Sequence, residues 1–386
     1  MTDDAPGSDT AADGEGRGDD VHVADAGREG EGSHGDDYLA RLVDPERLRA
    51  FLDAELGPAE SFALERHPEG HSNETLFVTH GDRDLVVRRP PPGETAETAH
   101  DVLREFRVVD ALGDTPVPVP ETLCACEDES VLGADFFVMA RTAGDVLRGA
   151  EPVRFAAPDR RRRVGEELVD TLASIHSVDP GAVGLDDFGR PAGFTDRQVD
   201  RWSRQFRWAF EVTADEREVP AIHETTTWLT EHVPGSRPET LVHGDYKLDN
   251  VMFGPGTPPE LVAVFDWELS TLGDPRTDLG WMLSFWHDPG DPEPAIPELQ
   301  STFTAREGYP RRRDLVDRYE AATGIEYEHD RFYRTLAVYK LAALGEMFFR
   351  RHLEGNSDDP LYPKMEAGVP ALGERCLRII EGDEGL

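Results

Sequence analysis

Lysine is almost missing from this chain of 386 residues: only Lys247, Lys340 and Lys364 carry it, and the other basic residues are arginine. Cysteine is as scarce, at Cys124, Cys126 and Cys376, which excludes a disulfide framework. Cys124-Ala-Cys126 would set both thiols on one face of a strand, but a metal site needs further ligands nearby and none stand in the sequence around it. All three are read as reduced thiols of a cytoplasmic protein. There is no apolar run of about 18 residues, so nothing here is long enough to cross a membrane as a helix. The N-terminus is polar and acidic, and is read as no secretory signal. Basic surplus is missing too. The 78 acidic residues outnumber the 40 basic ones and leave a formal net charge of −38, which argues against nucleic acid and anionic membranes as partners.

The chain does contain one ordered constellation of polar residues. His243-Gly-Asp-Tyr-Lys-Leu-Asp-Asn250 has the spacing of a kinase catalytic loop, with an aspartate two residues after a histidine and an asparagine five residues later. An apolar run from Leu261 to Phe265 then reads as a short strand, and Asp266 follows it. Phosphoryl transfer to a hydroxyl needs these parts. One carboxylate orients the acceptor hydroxyl and takes its proton, while an amide oxygen and a second carboxylate hold the Mg²⁺ that bridges the phosphates. Asp245 is the candidate base, and Asn250 and Asp266 are the candidate metal ligands. Lys247 is placed to steady the charge of the transferring phosphoryl group. Each residue alone reads as easily as a turn or cap; the ordered combination carries the assignment.

Around this core the pattern suggests elements of both kinds. Residues 1–37 hold no aromatic side chain and are rich in Asp, Glu and Gly, the composition of a disordered acidic tail. Order is expected from about Tyr38. Asp44-Pro45 reads as a helix start, Leu48, Phe51, Leu52 and Leu56 keep helical spacing, and Gly57-Pro58 stops the helix. Strand patterns follow at Ser61 to Arg66, Thr75 to Thr79 and Leu85 to Arg89, with Gly70-His-Ser-Asn73 at a hairpin tip. Thr95 to Leu112 reads as a helix. Glu105 falls on its largely apolar face and wants a cationic partner, either Arg88 or a neighbour such as Arg104 or Arg107. Pro116, Pro118 and Pro120 force an extended link to strands at Glu121 to Cys126 and Asp135 to Ala140. The remainder is mainly helical. Leu168, Leu172 and Ile175 keep helical spacing up to His176, and Thr227, Trp228 and Leu229 lead towards the catalytic strand. Phe332 to Leu353 is a strongly apolar helix, whose Phe348-Phe-Arg-Arg-His352 end either packs or lines an acceptor pocket.

His243-Gly-Asp245-x4-Asn250 with Phe265-Asp266-Trp resembles the aminoglycoside phosphotransferase family of small-molecule kinases, over roughly residues 60 to 380. The likeness is greatest to the branch whose kinase domain also occurs fused to acyl-CoA dehydrogenases. Gly189-Arg-Pro, Arg197-Gln198, Trp202-Ser-Arg-Gln205 and Gly273-Asp-Pro-Arg-Thr-Asp278 are similar as well. Protein kinases usually carry Arg at the position of Gly244 and Asp-Phe-Gly where this chain has Asp266-Trp-Glu268.

The resemblance implies an α+β, two-lobed protein-kinase-like fold. A small β-rich N-lobe would take residues 38–141 and a larger, mainly helical C-lobe residues 142–386. Ser72 and Asn73 would lie in the phosphate loop. Val86 would touch the adenine, and Arg88 would stand where kinases usually have a lysine, reaching the phosphates with Glu105 as its partner. Backbone groups of Ala140 and Thr142 would read the adenine edge. His243 would hold the loop, Asp278 would bond its backbone, and Glu268 would touch a second metal ion, touch the acceptor or stand as a surface acid. The implied activity is transfer of the γ-phosphoryl of ATP or GTP, with Mg²⁺, to a small-molecule hydroxyl, with a hydroxyacyl compound as one candidate acceptor. A nucleotide-binding pseudokinase scaffold and an aminoglycoside-type antibiotic kinase are the alternatives. Nothing in the sequence sets the oligomeric state.

Acidic surplus with few lysines suits a salt-filled cytoplasm, as in halophilic organisms. A GC-rich genome would also replace Lys by Arg, but would not produce the charge of −38. The Debye length is roughly 30 Å at 0.01 M salt and about 3 Å at 1 M, so carboxylate repulsion spans much of a lobe in dilute buffer and is nearly silenced in molar KCl. The melting temperature is therefore expected to rise across a KCl series, with or without residues 2–37. A melting temperature that is flat or falls with salt would leave the composition to genome bias.

Overall fold

Asp44 caps its helix as its sequence context suggests. The carboxylate accepts from the Glu46 amide at 3.0 Å and the Arg47 amide at 3.2 Å, Pro45 fills the first turn, and Gly57 ends the helix at a φ of 90°. This helix, α2 (Pro45–Leu56), follows α1 (His34–Leu42) in a computed structural model that describes residues 34–67, 73–91, 101–235, 238–357 and 359–386. The acidic tail expected over 1–37 lies outside the described residues up to position 33, and α1 starts before Tyr38. Ser72 and the beginning of the helix expected from Thr95 also lie outside them.

Five antiparallel strands form the small lobe: β1 (Phe62–His67), β2 (Glu74–His80), β3 (Arg83–Arg89), β4 (Thr122–Cys126) and β5 (Phe136–Ala140), in the spatial order β1-β2-β3-β5-β4. Strand alternation sorts the two faces. Leu85 and Val87 of β3 join Phe136 and Val138 of β5 in a cluster with Leu48 and Leu52 of α2. Val86, Phe137 and Met139 point the other way and pack on Val102, the first residue of α3 (Val102–Leu112). Arg88 therefore shares the face of α3, opposite Phe137 in the register. A short helix, α4 (Glu129–Leu132), links β4 to β5.

The larger lobe is mainly helical, and its core is continuous. It contains α5 (Pro158–His176), α6 (Phe194–Thr213), α7 (Pro220–Glu231), α8 (Arg276–Ser284), α9 (Arg312–Thr323), α10 (Asp330–Leu353) and α11 (Met365–Glu381). Two small antiparallel pairs interrupt them: β6 (Thr240–Val242) with β9 (Thr271–Gly273), and β7 (Val251–Phe253) with β8 (Leu261–Val264). Helix α10 is buried around most of its circumference and packs against α6, α8 and α11, as an apolar central helix should. This is the two-lobed α+β architecture, with the catalytic-loop sequence on the large-lobe hairpins. Among the described residues no helix is long and apolar enough to cross a membrane.

Two local readings become specific. Thr227, Trp228 and Leu229 lie in α7, the element that leads to β6; Pro220 starts this helix, whose buried face runs through Ala221, Ile222, Thr225 and Leu229. The Phe348–His352 end of α10 is a packing surface. Phe348 stacks on Tyr362 with ring centres 4.6 Å apart, Phe349 is buried, and Arg350 lies 3.9 Å over the Trp208 ring.

A buried ion pair fixes α10 to the segment after α6. Glu346 is fully buried; Arg217 donates to its carboxylate at 2.7 and 3.0 Å, and Thr213 bonds it from α6. Removing one partner leaves a buried charge uncompensated, which costs about 3–5 kcal/mol. Arg217→Met is expected to lower the unfolding free energy by that order in a urea titration. The double variant Arg217→Met/Glu346→Leu should recover most of the loss.

Candidate active site

The catalytic loop leaves β6 at His243 and runs into β7 after Asn250. Pairing of Val251 with Val264 brings the two hairpin arms together, and the Phe265 amide donates to the Asn250 carbonyl at 2.9 Å. Asp266 therefore follows directly beside Asn250. It holds a left-handed φ of 64°, which Asp tolerates better than most residues and which is often found at functional positions.

His243 is structural in its bonding. Its Nε2 lies 2.8 Å from the Phe265 carbonyl and its Nδ1 accepts from the Asp245 amide at 3.1 Å. These partners require the neutral tautomer with the proton on Nε2. Burial pushes its pKa down, in keeping with a neutral ring. Both nitrogens are occupied, so the ring holds the loop and has no free position for acid–base work. Asp278, at the start of α8, accepts from the His243 amide at 2.6 Å and the Gly244 amide at 2.9 Å. His176 Nε2 stands 3.3 Å from the same carboxylate.

Asp245 faces a small set of donors. Lys247 Nζ lies 2.6 Å from its Oδ2, and Asn250 Nδ2 donates to Oδ2 at 2.7 Å and to the Asp245 carbonyl at 2.8 Å. Burial would raise the Asp245 pKa, but Lys247 and Lys340 outweigh it and the net direction is down. The group is thus a fixed anion near neutral pH, suited to orient a hydroxyl.

Arg88 joins the small lobe to this loop. Its Nη2 lies 3.0 and 3.1 Å from the Glu105 oxygens, and Nη1 donates to Thr75 Oγ1 at 3.2 Å. The same Nη2 stands 3.8 Å from Asp266 Oδ1. Burial alone would lower the basicity of Arg88; Glu105, Asp266 and Glu268 reverse the sign and hold the guanidinium firmly charged. The local alternatives for Glu105 look elsewhere: Arg104 donates to the Ser270 carbonyl at 2.8 Å, and Arg107 pairs with Asp187.

At the lobe junction the Ala140 amide already donates to the Glu121 carbonyl at 2.8 Å. It is therefore not open to a ligand, which narrows the reading of that residue to its carbonyl. The Thr142 amide and carbonyl enter no backbone hydrogen bond among the described residues. Asn73 is buried, and neither polar atom of its side chain has a hydrogen-bond partner among the described residues.

Asn250 directs its amide nitrogen at Asp245, which leaves Oδ1 as its ligand atom. Asp266 Oδ1 is buried and accepts no hydrogen bond among the described residues. Among those residues no group of three or more His, Cys, Asp or Glu side chains is placed to hold a metal alone. Two hard oxygen donors of this kind fit a small cation that brings most of its ligands as phosphate and water. A cavity of about 470 Å³ opens beside Lys247 and Asp249, walled by Phe285, Trp286 and Phe303. A smaller one, about 50 Å³, touches Gly244 and is bounded by Trp202, Trp281, Arg201 and Lys340. Lys340 was the residue the sequence reading passed over. Its ammonium donates to the Gly244 carbonyl at 2.6 Å, and the only advance signal was the rarity of lysine itself.

The family model described as "Phosphotransferase enzyme family" (APH) matches residues 63–315. Acyl-CoA dehydrogenase family member 11 of Rattus norvegicus is 33% identical over 324 residues, covering 81% of this chain and 40% of that protein. The chain thus spans well under half the length of this curated relative. A solved structure from Ralstonia eutropha JMP134, named as a candidate aminoglycoside phosphotransferase, has a TM-score of 0.71 at 30% identity, covering 86% of this chain and 98% of that one. The GDP and kanamycin complex of APH(2″)-IIIa shares the fold, with a TM-score of 0.57 at 15% identity over 84% of this chain and 96% of that one. Catalytic loop, paired Arg88 and Glu105, two-lobed fold and family match agree, and this chain belongs to the phosphotransferase (APH) family of kinase-type enzymes.

Proposed function

We propose that this protein moves the γ-phosphoryl group of ATP or GTP, with Mg²⁺, to a hydroxyl of a small molecule. The observation that carries the reading is the arrangement around Asp245. An ionised carboxylate is held between Lys247 and Asn250, near Asp266, whose Oδ1 is buried and accepts no hydrogen bond among the described residues.

The roles follow from these contacts. Asp245 orients the acceptor hydroxyl and receives its proton as the oxygen–phosphorus bond forms. A depressed pKa makes it a weak base, which suits a loose transition state in which proton transfer comes late and alignment matters most. Lys247, whose ammonium contacts that carboxylate, balances charge on the moving phosphoryl group. Asn250 Oδ1 and Asp266 are the protein ligands for magnesium, which when bound neutralises charge on the phosphate oxygens. Arg88, braced by Glu105, faces the phosphates. Asn73 borders them from the small lobe, the Ala140 carbonyl and the Thr142 backbone meet the base, and Val86 packs on it; Ser72, outside the described residues, keeps the phosphate-loop role that the family resemblance implies.

A hydroxyacyl compound is our preferred acceptor, on the strength of the acyl-CoA dehydrogenase family relative. The cavity beside Lys247 has the volume for a small molecule, with aromatic walls on one side and the catalytic loop on the other. The acidic composition supports a cytoplasm rich in salt as its setting.

Two substitutions separate the roles. Asp245→Asn is expected to lower phosphoryl transfer ~10²–10⁴-fold while Mg²⁺–nucleotide affinity in calorimetry stays near wild type. Asp266→Ala should instead weaken nucleotide binding, most visibly at limiting Mg²⁺. Transfer at the wild-type rate in the Asp245 variant would sink the assignment, and unchanged nucleotide affinity in the Asp266 variant would remove it as a ligand.

A further inference from the structure

Lys340 takes no part in the roles above, yet it reaches the catalytic loop from the middle of α10. Its side chain is nine-tenths buried. The ammonium donates to the Gly244 carbonyl at 2.6 Å, and lies 3.8 Å from the centre of the Trp281 ring and 5.7 Å from that of Trp202. Burying an ammonium costs several kcal/mol even after relaxation, so a helix facing an apolar core would ordinarily place an aliphatic residue there. Arginine is the usual cation of this chain, and its planar fork needs more room than a single carbonyl between two indoles provides. A compact charge on a straight stem fits.

The carbonyl it grips belongs to the peptide that leads into Asp245. Gly244 has a φ of 86°, and a Cβ there would come within 2.6 Å of the Leu269 carbonyl oxygen. No side chain at position 244 can brace the loop, so the brace comes from outside. Asp278 holds the His243 and Gly244 amides, and Lys340 holds the Gly244 carbonyl. Rotation of this peptide would carry the Asp245 carboxylate away from Lys247 and Asn250.

We propose that Lys340 is a positioning residue of the transfer step: it clamps the Gly244–Asp245 peptide from its carbonyl side and so keeps the Asp245 carboxylate aligned. This rests on reading Asp245 as the residue that orients the acceptor. The charged groups acting on Lys340 are Asp245 and Lys247 from the loop, Arg201 from α6 and Asp278 from α8. Burial is the largest influence and brings its pKa down to about 8. The ammonium is therefore fully present below that pH and is lost as pH rises through it, so turnover should have an alkaline limb near pH 8.

Scarcity of lysine makes the test direct. Biosynthetic labelling with lysine carrying ¹³Cε and ¹⁵Nζ yields signals from only Lys247, Lys340 and Lys364. The Lys340 signal should titrate near pH 8 in the wild type and lower in Asp245→Asn, because the variant removes an anion that favours the ammonium. In Mg²⁺–ATP turnover, with water or added hydroxy acids as acceptor, Lys340→Met should cost ~10²-fold at unchanged nucleotide Kd and abolish the alkaline limb. Lys340→Arg, which stays charged, should recover part of the rate and also lack that limb. A Lys340 signal indifferent to Asp245→Asn, or a Lys340→Met enzyme with the wild-type rate and pH profile, overturns the proposal. If the wild-type protein transfers phosphate to nothing, the kinase reading has failed on its own, and the Lys340–Asp245 coupling is still decided by the titration.

Discussion

For the transfer proposed here, Asp245 has to stay ionised and still inside a buried cleft of a chain whose net charge is −38. Burial opposes the charge, and so does the surrounding acidity. The structure answers with cations placed one by one. Lys247 contacts the carboxylate, Lys340 holds the peptide before it, and Arg88 stands between Glu105 and Asp266. Long-range attraction is of little use in concentrated salt, where screening leaves only contacts of a few ångströms. In the salt-rich setting proposed above, a site built on close, desolvated pairs keeps its field.

The same requirement explains why so much of the loop is held by its backbone. Asp278 accepts from two consecutive amides, His243 accepts from the Asp245 amide, and the Phe265 carbonyl lies within bonding distance of the His243 ring. Each of these bonds satisfies a polar group that would otherwise be buried without a partner. Together they turn a flexible stretch into a rigid mount, and rigidity is what positional catalysis needs. Gly244 is the weak point of that mount, since its left-handed backbone has no side chain to anchor it. Lys340 from α10 supplies the missing anchor, which couples the loop to the central helix of the large lobe.

What could be read in the sequence follows a simple division. Local chemistry was legible. Asp44, Pro45 and Gly57 mark the ends of α2, and the alternation of β3 puts Arg88 on one face with Val86. The partnership of Arg88 with Glu105 was legible too, because a carboxylate on an apolar helix face has few ways to be satisfied. Contacts that depend on distant packing were not. Lys340 lies 96 residues from Gly244 in the chain, and its helix looks like plain core until the fold sets it beside Trp281. The Ala140 amide reads as open to a ligand until the strand register shows it bonded to Glu121.

The choice of lysine over arginine at two loop-facing positions is itself a physical statement. Arginine dominates everywhere else, including the ion pair of Arg88 with Glu105, where a planar fork meets two carboxylate oxygens. Around Asp245 the geometry differs. Lys247 and Asn250 both donate to Oδ2, so the ammonium shares a single oxygen with the amide. At Gly244 a single carbonyl is offered between indole rings. At both positions the ammonium meets one acceptor atom. A compact point charge on a flexible stem suits a single-acceptor contact, where a planar fork is built for two parallel bonds.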